Sequence, residues 1–93
     1  MTLNKELQRV EELIATSDID GASKVLASLM DHESESHSLI QIGDLYYKMQ
    51  NMGEAMNCFL KALELEPENQ IVKNKISMIS SILQFRYKDL YNP

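Results

Sequence analysis

The residues whose types could do chemistry crowd into one short stretch, Asp31-His32-Glu33-Ser34-Glu35-Ser36-His37. Imidazoles and carboxylates are the donors a divalent metal takes. The spacing argues against that use. His32 and His37 are five positions apart across a predicted helix–loop–helix junction, whereas paired histidines on one helix stand four apart. The plain reading is a solvated polar link with capping residues. Cys58 is the one cysteine and cannot form an internal disulfide. It falls on an apolar stripe, where a free thiol behaves as a small hydrophobe, and nothing basic is placed to activate it. The chain has no Gly-rich phosphate loop, no H-E-x-x-H and no G-x-S-x-G, and its acids are scattered on polar helix faces. No enzyme activity, catalytic residue, cofactor or metal site is expected.

Length and composition set the frame. Ninety-three residues make one domain with a modest core. Three glycines and two prolines are too few for a loop-rich or all-β chain, so long helices are expected. No apolar run approaches a membrane span, and the first residues, Met1-Thr2-Leu3-Asn4-Lys5-Glu6, lack a signal-peptide core. With the single cysteine, this gives a cytoplasmic expectation. The net charge of −5 argues against a nucleic-acid partner. That charge is uneven: residues 1–35 carry −5, residues 36–69 carry −3 and residues 70–93 carry +3. A basic, apolar strip is attached to an acidic body.

Helical periodicity runs through the chain. Leu3, Leu7, Val10, Leu13 and Ile14 form one face of a helix over 3–16. Ser17-Asp18 is an N-cap signal for a second helix over 19–31. Leu39, Ile42, Leu45, Tyr46 and Met49 mark a third over 36–49, and Ala55, Cys58, Phe59, Ala62 and Leu63 a fourth over 52–65. Asn69 is the expected N-cap of a fifth helix over 70–86. Its stripe Val72, Ile76, Ile79 and Leu83 should cover the preceding pair. A second stripe, Ile71, Met78, Ile82 and Phe85, makes this helix apolar over more than one face.

Residues 36–69 resemble one repeat of the tetratricopeptide family. Leu39 stands at the large apolar position, Ile42-Gly43 at Leu-Gly and Tyr46 at Tyr. Ala55, Phe59, Ala62 and Pro67 follow at the family's spacings. Residues 3–35 look like a degenerate copy, in which Ile19, Ala22, Val25, Leu26 and Leu29 align with Met52, Ala55, Cys58, Phe59 and Ala62. Arg9-Val10 replaces Leu-Gly there, a departure suited to a terminal repeat. The resemblance implies an all-α, right-handed solenoid of antiparallel helix hairpins. It comprises the degenerate repeat (3–35), the near-consensus repeat (36–69), a capping helix (70–86) and a tail (87–93). Gly43 would then allow the paired helices to approach closely.

The resemblance also implies a scaffold or protein-binding module with a concave groove lined by the first helix of each pair. Transferred position by position, that groove takes His37, Ile40, Gln41, Asp44, Tyr47 and Lys48 from the third helix. It takes Ile71, Asn74, Lys75, Met78 and Ile82 from the fifth and Leu7, Glu11 and Ile14 from the first. Tyr47 is the expected anchor, because Tyr46 fills the core slot. A cationic clamp for a partner's C-terminal carboxylate is not expected, since its positions hold Leu7, Glu11, Gln41 and Asp44, with only Asn74 and Lys75 suitable. An amphipathic helix or extended apolar peptide fits better. The alternative is an assembly role, in which Ile71, Met78, Ile82 and Phe85 pair with their copies in a homodimer. A third arrangement has Phe85, Tyr87, Leu90 and Tyr91 folding back into the groove.

Overall fold

The computed structural model describes residues 2–86. The expected tail contacts of Tyr87, Leu90 and Tyr91 lie outside the described residues. Among those described, five helices and no strand are found: α1 (Thr2–Ala15), α2 (Ile19–His32), α3 (Ser36–Lys48), α4 (Met52–Leu65) and α5 (Gln70–Arg86). Each lies within a residue or so of the stretch that periodicity predicts. They form a helical-repeat solenoid of two hairpins and a closing helix. α3 packs most extensively on α4, α1 packs on α2, and α5 closes on α4.

The two hairpin corners are built alike. Ser17 and Gln50 lie 33 residues apart and both adopt the left-handed conformation, at φ 66° and 65°. At the first corner Ser17 N–H donates to the Ile14 carbonyl and Asp18 N–H to that of Leu13. At the second, Gln50 N–H donates to Tyr47 and Asn51 N–H to Tyr46. These paired bonds close each helix in a Schellman motif without glycine. The next residue then opens the following helix: Asp18 Oδ1 accepts from Gly21 N–H at 3.0 Å, and Asn51 Oδ1 from Glu54 N–H at 3.3 Å. The same corner geometry thus recurs at a 33-residue offset. Asn69 Oδ1 caps α5 in the same way, accepting from Val72 N–H at 3.1 Å.

The core runs along the hairpin seams. Val10, Ala22, Leu26, Ile42, Tyr46, Phe59, Val72 and Ile79 are all buried. Gly43 has a specific task. A Cβ there would sit 2.6 Å from Phe59 Cε1 and 2.9 Å from Cζ. At the equivalent point of the first hairpin the pair is Val10 and Leu26, both fully buried. One large and one absent side chain are exchanged for two of middling size. The central hairpin is covered on both sides, so Cys58 and Ala62 are sealed, whereas their counterparts Val25 and Leu29 remain half-buried. Ile19 is 42% exposed where its counterpart Met52 is buried.

The second apolar stripe of α5 does not make the outer end of the stack apolar. Val72 and Ile79 face α4 and are buried, while the opposite side of the helix carries Gln70, Ser77, Ser81 and Gln84, all exposed. Hence the side of α5 turned away from α4 is polar.

Gly43→Ala gains about 1 kcal/mol in helix propensity but forces the sealed Phe59 ring to move, which costs about 1–3 kcal/mol. A net loss of stability is expected in urea titration, and Phe59→Leu added to it should recover part of the loss. Ser17→Gly should act in the opposite direction. It relieves a left-handed L-residue worth about 1–2 kcal/mol, at a glycine entropy cost of about 0.5–1 kcal/mol. Its Tm should rise by about 3–6 °C, whereas Ser17→Ala should give no gain.

Candidate protein-interaction face

Two side-chain contacts join α3 and α5. Lys75 Nζ meets Asp44 Oδ1 at 2.7 Å. The Tyr47 hydroxyl points at Met78 Sδ at 3.8 Å. Lys75 Nζ also lies 5.6 Å from the centre of the buried Phe59 ring, a cation–π distance. At the far end, Arg86 Nη2 donates to Gln50 Oε1 at 3.0 Å. Asp44, Tyr47, Lys75 and Met78, which the sequence assigns to one surface, are thus brought together.

The remaining candidates divide by burial. Lys48 and Asn74 are exposed, and Asn74 Oδ1 accepts from Gln70 Nε2 at 2.9 Å. Gln41 is half-buried, and Ile40 is half-buried against the core. Leu7 does not present itself for contact: it is 7% exposed and belongs to the core. Glu11 is exposed and Ile14 half-buried. Tyr47 differs from the exposed anchor expected of it, since it is half-buried and packed against the core. Asp44 likewise differs from a free repelling acid, because Lys75 neutralises it. Neither pairing is visible from residue spacing within one helix, since both partners lie 31 positions apart. Of the stripe on α5, Ile71 is 64% exposed, Met78 44% and Phe85 81%, whereas Ile82 packs partly on the core.

The cluster of histidines and acids has a local explanation. His32 Nδ1 lies 2.8 Å from the Ser28 carbonyl oxygen, one turn back in α2. His37 is exposed in the first turn of α3. Among the described residues, no three of His, Cys, Asp and Glu converge as metal ligands do. Glu66, at the end of α4, accepts from Asn69 Nδ2 at 3.0 Å, and the Ser36 hydroxyl and the Asn69 amide beside it hold its carboxyl below the usual range. The Asn69 bond ties the start of α5 to the end of α4.

The buried groups of the central hairpin are shifted the other way. Burial, reinforced by Glu54, pushes the Cys58 thiol up to about 12. Burial, then Glu54, pushes the Tyr46 phenol up to about 12 as well. Cys58 Sγ contacts Met30 Sδ at 3.6 Å, linking α4 to α2. The thiol is packing material and not a nucleophile.

The sequence model of the tetratricopeptide repeat matches residues 36–69, and that segment is consistent with one repeat of the family. Such repeats are units of protein–protein interaction modules, and that is the class of function the match suggests. No curated protein and no solved structure matches the chain. No described helix is long and apolar enough to cross a membrane.

Two consequences follow from the buried thiol and phenol. Cys58 should resist thiol reagents in the native protein and react fully in denaturant, as a mass shift would show. In the unfolded chain Cys58 and Tyr46 ionise from 9.0 and 10.0, but in the folded chain only near 12. Above pH about 9 the unfolded state therefore holds fewer protons, and stability should fall steadily as pH rises toward 12. Urea midpoints between pH 8 and 11 measure this. A Cys58→Ser variant should lose the part that begins near pH 9.

Proposed function

We propose that this protein is a small, non-catalytic interaction module. It holds a peptide or helix of a partner protein on the concave face shared by α1, α3 and α5. The observation that carries this reading is the position of Ile71 and Met78. They are large and exposed on α5, the helix whose Met78 and Lys75 contact Tyr47 and Asp44 of α3. Scattered exposed apolar residues need no explanation, but a contiguous row beside a half-buried tyrosine is the composition of a contact surface. Ile40, Gln41, Lys48 and Asn74 complete the face. With two hairpins and one helix the face is small, and affinity should be modest. A lone sealed thiol suits a reducing compartment, and the cytoplasm is the proposed location.

The exposure of Phe85 favours a second reading. At 81% exposed, it extends the α5 row beyond the span of α3, and two copies could bury it by pairing α5 with α5.

Capture from an extract of the source organism separates these readings. A protein held by the wild type should be lost by about tenfold or more from Ile71→Glu, with far-UV circular dichroism confirming the fold. Retention by the folded variant would remove the face from consideration. Sedimentation of the protein alone tests the second reading: a dimer that Phe85→Glu dissolves supports assembly, and a monomer at high concentration eliminates it.

A further inference from the structure

Resting on the reading that this face receives a partner segment, we propose that the segment is an acidic amphipathic helix lying along α5. Ile71, Met78 and Phe85 are seven residues apart. Successive members of such a row drift by only about 20° around a straight helix, so they form one ridge about 21 Å long. An apolar ridge with heptad spacing is met by knobs of a second helix at the same spacing. An extended peptide repeats its side chains about every 7 Å along one face and would miss alternate positions.

The charge beside the ridge selects the partner's sign. α5 contains Lys73, Lys75 and Arg86 and no acid. Lys73 lies on the far side of the helix and pairs with Glu68 at 3.9 Å, and Lys75 is matched by Asp44 of α3 at 2.7 Å. Among the described residues this leaves Arg86 and Lys48, exposed at the end of α3, as the cations beside the ridge with no acid bonded to them. The flank of the ridge toward α3 is therefore positive although the whole chain carries −5. Leu, Ile or Phe on the ridge side with Glu or Asp on the flank toward α3 satisfies both features. A second copy docking α5 on α5 would bring two sets of cations together and supply no acid, so charge disfavours that occupant.

Two synthetic helices of about 18 residues, long enough to form in water, provide the test. They share leucines at seven-residue spacing, and one carries Glu on its flanks where the other carries Lys. Fluorescence anisotropy at low salt should show the Glu helix binding at least about fivefold more tightly, with the preference fading as salt screens the flanks. Met78→Glu and Ile71→Glu should each weaken it about tenfold or more. The double variant Lys48→Glu, Arg86→Glu leaves the ridge intact and should reverse the preference. Equal binding of both helices, or tighter binding of the Lys helix, overturns the acidic assignment. If that binding still depends on Met78, the interaction face itself survives. Binding of neither helix overturns this proposal, and the face then stands or falls on the capture experiment. A dimer of the protein alone, dissolved by Met78→Glu, gives the ridge to a second copy and likewise overturns it.

Discussion

The Phe59 ring occupies the space that any side chain at position 43 would need. That contact sets how closely α3 and α4 approach, and the central hairpin depends on it. A ring held at 1% exposure anchors the middle of α4. Tyr46, one turn further along α3, is sealed beside it. Lys75 reaches the same ring from α5, so the seating of α5 is tied to the same contact. A glycine that weakens an isolated helix is here the condition for burying an aromatic side chain worth several times the loss.

The corners then fix how the hairpins turn. Two non-glycine residues in the left-handed region, 33 positions apart, are held by paired backbone bonds and by an Asx cap that follows at once. Each corner is compact because the residue that ends one helix adjoins the cap of the next. The first hairpin has the same corner without the Gly–Phe contact. Backbone bonding at a turn is insensitive to which apolar residues fill the seam, and a Val–Leu pair fills similar volume.

Burial divides α5 into three sides. One side seals the central hairpin, the side opposite is polar, and the third exposes Ile71, Met78 and Phe85. This partition accounts for an apolar character wider than a closing helix requires. It also places the basic segment of the chain where a partner could meet it, away from the acidic hairpin formed by α1 and α2.

The positions and lengths of the five helices were legible in the sequence, because periodicity, Asx caps and Pro67 are local signals. So was the close approach at Gly43, since a glycine inside a strongly apolar helix asks for a packing reason. Family spacing put Asp44, Tyr47, Lys75 and Met78 on one surface, and the contacts between Asp44 and Lys75 and between Tyr47 and Met78 bring these four side chains together. Leu7 and Tyr47 show where local reading ends. Helical spacing gives the direction of a side chain, but burial depends on what a neighbouring helix places against it. Likewise Asp44 reads as a free acid until α5 brings Lys75 to it from 31 residues away. The sequence by itself determined the elements and their faces, because those follow from short-range spacing. Only the tertiary structure decided which apolar stripe of α5 is covered and which charges are already paired, because both depend on groups distant in the chain that meet on folding.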